Sequence, residues 1–208
     1  MSNAPFRPSD LETSSEGGSK FIGFCEVGVM DYEDKTADYD WADIFLVVNL
    51  KLKDSQYPQE MKILGSYDRE PNGNIKTCSL LKKVYRFFDA IGFEGGPDVT
   101  GNIVDKDGNE IENLQHYLNK HHISTTPLDP PLKYYAYLYK EPSKKDPSTA
   151  YTTVYPRITE NNEKGRAELE SFIQFLKTKN LIKEVGSTPN ATPNGSMPEG
   201  NANSQTQF

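Results

Sequence analysis

The sequence predicts an α+β fold, and three patterns of apolar residues support that prediction. Residues 41–53 alternate between apolar and polar side chains, which is the two-residue period of a half-buried β-strand. Residues 80–91 then follow the period of a helix with one apolar face. Two tyrosine-rich segments, 133–140 and 150–158, return to the strand period and are rich in β-forming residues. Strands therefore flank a helix along the chain, and one mixed domain is expected.

The first half of the chain contains three predicted strands, at residues 20–31, 41–53 and 59–67. The second is the clearest, because its apolar side chains alternate without a break: Ile44, Leu46, Val48, Leu50 and Leu52. A polar, acidic connection separates the first two strands, and a Pro-Asn-Gly-Asn turn at 71–74 follows the third.

The next predicted element is a helix whose apolar face consists of Leu80, Leu81, Val84, Phe87, Phe88 and Ile91. Thr77 or Ser79 is expected to cap its start, and Gly92 is expected to end it. A small insertion follows, with a hairpin over 103–111 that turns at Asp107-Gly108 and a short helix over 113–122.

The closing element is an amphipathic helix over 163–184, with an apolar stripe formed by Leu169, Phe172, Ile173 and Leu176. The complete order is three strands, a helix, a small hairpin insertion, two strands and this C-terminal amphipathic helix. Five strands with a helix between the third and the fourth is the order of the OB-fold, a five-stranded Greek-key barrel. We therefore expect one OB-like domain over 20–185, and the alternative is an α+β arrangement of the same elements in a more open sheet.

Both ends of the chain differ in composition from this domain. Residues 1–19 contain Ser, Pro and Gly, and residues 186–208 consist almost wholly of Gly, Asn, Pro, Ser, Thr and Gln. Such segments lack the apolar side chains that a core requires, so a disordered N-terminal arm and a disordered low-complexity tail are expected.

Charge and composition restrict the function classes. The net charge is -7, but residues 133–183 hold ten Lys/Arg and six Asp/Glu, so a positive face on an acidic protein is expected. No apolar run is long enough to span a membrane, and the N-terminus does not read as a signal peptide. The two cysteines, Cys25 and Cys78, are too few for a disulfide framework and favour a reducing, cytoplasmic compartment.

The tyrosine-rich strands provide the candidate site. Strand alternation places Tyr135, Tyr137 and Tyr139 on one face of the first, and Tyr151, Tyr155 and Arg157 on one face of the second. Bases stack on aromatic rings and phosphates follow cationic groups, so this face predicts single-stranded nucleic acid as a partner. The expected cations are Lys133, Lys140 and Arg157, with Lys144 and Lys145 in the connecting loop. The alternative is that the tyrosines pack beneath a helix or a loop.

Other candidates are weaker. Lys76, Lys82, Lys83 and Arg86 fit the polar face of an ordinary surface helix, and a helix that plugs a barrel is not expected to face the ligand. The three histidines have no further ligands at zinc spacing, and residues 105–110 fit a tight Asp-Gly hairpin better than a calcium loop. The chain has no nucleotide-binding or hydrolase motif, so neither a catalytic residue nor a cofactor is predicted, and a non-enzymatic protein is expected.

Three segments give the chain a recognisable layout: SLLKKVYRFFDAIGF, then GNIVDKDGNEI, then YYAYLYKEPSKKDPSTAYTTVYPRI before the tail. This layout, over residues 76–185, resembles the OB-fold single-stranded-DNA-binding proteins that tailed bacteriophages encode for DNA replication and recombination. The resemblance implies binding of transient single strands, with DNA favoured over RNA, in the host cytoplasm and without catalysis. It also implies a mobile tail that recruits a protein partner. Here the tail ends in Phe208 but has Glu199 as its sole acidic residue, which departs from the acidic end of the bacterial pattern.

The competing function class is a structural or protein-interaction module, such as a virion accessory protein. Its tyrosine face would contact another chain, because aromatic residues are also enriched at protein interfaces.

Overall fold

A computed structural model describes residues 22–123, 129–143, 145–146 and 149–182. The main sheet has five antiparallel strands: β1 (Gly23–Asp34), β2 (Ile44–Leu52), β3 (Gln59–Gly65), β6 (Tyr134–Pro142) and β7 (Ala150–Glu160). A second, two-stranded sheet consists of β4 (Gly96–Pro97) and β5 (Ile103–Val104), and the helices are α1 (Ser79–Ile91), α2 (Leu114–His121) and α3 (Glu163–Thr178). The α+β class is confirmed, whereas the predicted arm and tail lie outside the described residues.

The main sheet has the strand order β3-β2-β1-β6-β7. β1 is long because its two halves pair with different strands: residues 23–27 pair with β6, and residues 27–34 pair with β2. The register shifts between Val29 and Asp31, and such an irregularity bends the strand that carries it. β1 thereby links the β2–β3 part of the sheet to the β6–β7 part.

The main core lies on the inner face of this sheet, beneath α1. It contains the apolar residues that alternate along the strands and the apolar face of the helix, including Leu46, Val48, Leu50, Met61, Val84, Phe87 and Phe88. On the last two strands, Ala136 and Leu138 of β6 and Val154 and Ile158 of β7 point into the same core. These residues therefore form the inner faces of the last two strands.

The capping residue of helix α1 is Cys78, which lies one residue away from either predicted cap. The Cys78 sulfur, rather than a Thr77 or Ser79 hydroxyl, accepts a hydrogen bond from the Leu81 backbone N–H at 3.4 Å. The end of the helix is as expected, because Gly92 takes a left-handed conformation with φ of 73°.

Helix α3 is shorter than expected and lies on the other side of the sheet. It ends at Thr178 instead of residue 184, and the Asn162 side chain caps its start by accepting from Gly165 N at 2.8 Å. Its buried residues Leu169, Ile173 and Leu176 cover the outer face of β6 and form a second apolar cluster there. The sheet is thus covered on both faces at its β6–β7 end.

Candidate nucleic-acid interface

The predicted tyrosine row of β6 lies beneath α3. The side chains of Tyr137 and Tyr139 are only 3% and 9% exposed, and they share a cluster with Leu169, Ile173 and Leu176 of the helix. Tyr135 is partly buried at the edge of this cluster. Strand alternation placed the three tyrosines on one face correctly, and the structure covers that face with the final helix.

Cations of α3 cover the rings as well. The Arg166 guanidinium lies 5.2 Å from the centroid of Tyr135, and the Lys177 ammonium lies 4.8 Å from that of Tyr137. The Tyr135 hydroxyl donates a hydrogen bond to Glu170 at 3.1 Å, and burial together with that carboxylate raises the pKa of the tyrosine. In this conformation the tyrosine row therefore stabilises the packing of α3 against β6, and it offers no open ring face to a base.

The remaining predicted residues fall into separate places. Tyr151 is 60% exposed on β7, and Lys140 and Lys145 are exposed at the same end of the β6–β7 hairpin. Lys133 is exposed at the opposite end of β6, about 20 Å away at the usual rise of a strand. Lys144 lies outside the described residues. These cations do not converge on one site.

The two other predicted residues, Tyr155 and Arg157, do lie in a groove. It has a volume of about 350 Å³ and runs between α1, β7 and α3. We call this feature the basic groove, and its lining combines cations, aromatic rings and the start of α1: Thr77, Cys78, Ser79, Lys82, Lys83, Arg86, Tyr155, Pro156, Arg157 and Phe172. Four of these ten side chains are cationic, and none is a carboxylate.

The aromatic floor of the groove is organised around Phe172. The Arg157 guanidinium stacks on this ring at 4.2 Å from its centroid, and the Arg86 guanidinium lies 5.6 Å from the same centroid. Tyr155 meets Phe172 edge-on, with 5.9 Å between the centroids and 66° between the planes. Two guanidinium groups are thereby fixed at short range to one ring, which pre-organises their positive charge.

Few negative charges offset these cations. Arg157 forms an ion pair with Glu168, which lies just outside the groove. Within the described residues, Lys82, Lys83 and Arg86 have no carboxylate partner. Burial lowers the pKa of Lys83, with no negative group acting in the opposite direction. Burial also lowers the pKa of Arg157, and Arg86 adds to this effect while Glu168 opposes it. An anion in the groove would compensate this excess charge.

A second cavity continues from the groove past the shared residues Arg86 and Arg157. It has a volume of about 320 Å³, and its lining adds Lys164 and Asn162 together with carboxylates, namely Asp89, Glu160 and Glu168. The charge of this extension is mixed, so of the two cavities only the basic groove has a lining with cations and no carboxylate.

Helix α1 contributes side chains that the sequence interpretation did not include in the candidate site. Lys82, Lys83 and Arg86, which fit the polar face of an ordinary surface helix, lie opposite Tyr155 and Arg157 in the groove. Their spacing of three and four residues already placed them on one side of the helix. The missing information was that α1 packs against β7.

The chain offers little for other chemistry. Within the described ranges, no cluster of three or more His, Cys, Asp or Glu side chains has the arrangement of a metal site. The Asp105 carboxylate accepts from the backbone N–H groups of Asp107 and Asn109, which confirms the Asp-Gly turn. Cys25 and Cys78 are free and buried, and burial raises the pKa of Cys25 to about 12, so this thiol is not activated.

Comparison of the chain with known protein families, with curated proteins and with solved structures finds no match. Among the described helices, none has the length and apolar character needed to cross a membrane. The fold and the groove therefore define this protein as an α+β protein with a basic, aromatic-floored groove.

Proposed function

We propose that the protein binds single-stranded nucleic acid, with DNA preferred over RNA, through the basic groove and without catalysis. The observation that carries this proposal is the convergence of Lys82, Lys83, Arg86 and Arg157 around Tyr155 and Phe172, with no carboxylate in the lining. Cations that track phosphates beside aromatic rings are the usual means of binding single strands with little sequence preference. The net charge of -7 makes this local concentration of cations stand out.

In this mode the phosphates contact the exposed edge of α1. Lys82 and Arg86 lie one helical turn apart and are exposed, and the half-buried Lys83 lines the groove beside them. A base then enters the groove against the half-buried ring of Tyr155. Each stacked base contributes about 1–3 kcal/mol, and each phosphate contact contributes a term that salt weakens.

Three features of the fold support an OB-like barrel as the scaffold for this function. β1 pairs with both β2 and β6, the two edge strands β3 and β7 approach to within 8 Å between Cα atoms, and α1 contacts both of these edges. A five-stranded barrel of this kind commonly binds oligonucleotides. The proposed site differs from the usual one, because it lies beside the helix rather than on the second and third strands.

The test is fluorescence anisotropy of labelled oligothymidine with the full chain over a series of salt concentrations. We expect binding at low salt and a linear fall of log K with log salt, with a slope of about -0.7 per phosphate contacted. The double variant Lys82→Ala/Lys83→Ala should reduce that slope by about 1.4 and the affinity by about tenfold at 0.1 M salt. Oligouridine in a parallel titration measures the preference for DNA.

The matched control is Lys106→Ala/Lys120→Ala, which removes the same charge from two exposed positions outside the groove. This variant should bind almost as the wild type does. Absence of binding at low salt contradicts the proposed function. An equal loss of affinity in both double variants would mean that the protein attracts the oligonucleotide non-specifically and not through the groove.

A further inference from the structure

An exposed aromatic patch lies on the connection between β1 and β2 and at the start of β2, and it consists of Tyr39, Trp41 and Phe45. Trp41 is 53% exposed and Tyr39 is 39% exposed, whereas Phe45 is nearly covered by them. The rings of Tyr39 and Phe45 stack at 4.7 Å, and the centroid of Trp41 lies 5.8 Å from Tyr39 and 6.4 Å from Phe45. A contiguous aromatic surface on an exposed turn is characteristic of a binding site rather than of a core.

The backbone beneath the patch is held in place. The Asp43 N–H donates to Gly65 O at 3.0 Å, and the Ser66 hydroxyl donates to the Trp41 carbonyl, so the turn is fixed to the end of β3. The Phe45 N–H donates to the Thr36 hydroxyl oxygen at 2.9 Å. A pre-organised surface loses little conformational entropy when a partner binds.

The charge around the patch is negative. Asp38 and Asp40 alternate with the exposed rings in the sequence Asp-Tyr-Asp-Trp, and neither carboxylate has a hydrogen bond or an ion pair within the described residues. The nearest cation in sequence, Lys35, is already bound to Glu33 at 3.0 Å. That carboxylate raises the pKa of Lys35, and Glu60 and Tyr39 add to the shift. The patch is thus an aromatic surface in a negative field.

We propose that the aromatic patch is a protein-docking surface that takes a lysine- or arginine-bearing segment of a partner protein. Cations bind the faces of tryptophan and tyrosine rings, and the two free carboxylates, Asp38 and Asp40, complement the same charge. Phosphates would be repelled by this field, so the patch and the basic groove select partners of opposite charge. This assignment does not depend on the function proposed for the groove.

Trp41 is the single tryptophan of the chain, so its fluorescence reports on the patch directly. The probe is a blocked peptide of alternating arginine and glycine, titrated into the full chain, with the corresponding glutamate peptide and oligothymidine in parallel. We expect the arginine peptide alone to change the Trp41 emission in a saturable manner. By anisotropy of the labelled peptide, Trp41→Ala should weaken binding by about fivefold.

Charge variants separate docking from general attraction to an acidic protein. Asp38→Asn/Asp40→Asn should weaken binding of the arginine peptide by several-fold, whereas the charge-matched pair Asp107→Asn/Glu110→Gln, exposed on the hairpin over 103–111, should leave it unchanged. Circular dichroism establishes that all variants are folded. The proposal is overturned if both pairs lose affinity equally, or if oligothymidine quenches Trp41 as strongly as the peptide does. Self-association that is lost in Trp41→Ala, seen by sedimentation velocity, would assign the patch to a second copy instead.

Discussion

Replacement of Tyr137 by alanine is expected to lower the free energy of unfolding by about 3 kcal/mol. The tyrosine side chain is 3% exposed and lies 4.7 Å from the Phe24 ring and 6.2 Å from the Tyr139 ring, between centroids. Removing it leaves a cavity beneath α3 and takes away the ring under the Lys177 ammonium. The loss is measured as a shift of the urea midpoint at an unchanged slope, which indicates a change in stability alone.

The control is Tyr151→Ala on β7, because Tyr151 was predicted for the same binding face and is 60% exposed. Its stability should stay within about 0.5 kcal/mol of the wild type. Tyr137→Ala should bind oligothymidine with the affinity of the wild type at a temperature where this variant remains folded. If Tyr137→Ala instead has unchanged stability and weaker binding, α3 moves away from β6 and the tyrosine row itself binds the nucleic acid.

The faces of the last two strands could be predicted because strand alternation is a local property of the sequence. Every second residue points to the same side, so the prediction that Tyr135, Tyr137 and Tyr139 share one face is correct, and Ala136 and Leu138 lie on the other. What covers each side is a tertiary property. The apolar stripe of α3 indicated that this helix packs against an apolar surface, but it did not indicate which of the two faces of the sheet the helix covers.

The basic groove could not be predicted for a related reason. Its cations come from α1 and β7, which are some 70 residues apart in the chain, and no local pattern joins Lys83 to Arg157. The aromatic patch was missed because Trp41 was assigned to the start of a strand. In the structure β2 begins at Ile44, so Tyr39 and Trp41 lie on the turn before it and stay exposed.

Replacement of Gly165 by alanine is expected to lower the free energy of unfolding by about 3 kcal/mol. Gly165 is buried in the first turn of α3, where a Cβ atom would lie 2.2 Å from the carbonyl oxygen of Glu160. That oxygen belongs to the backbone at the end of β7 and cannot rotate away. The helix start must therefore move, and the buried hydrogen bond from the Thr159 hydroxyl to Gly165 O, 2.8 Å long, is strained or lost with it.

The sign of this effect makes the measurement decisive. In an exposed helix a glycine-to-alanine change stabilises by about 0.5–1 kcal/mol, because alanine loses less conformational freedom on folding. Chemical denaturation of Gly165→Ala, with Lys164→Ala in the same turn as the control, therefore separates a helix packed against β7 from a loosely held one. Faster hydrogen exchange of the α3 amides should accompany the loss. A variant more stable than the wild type would contradict the close contact between Gly165 and the Glu160 backbone.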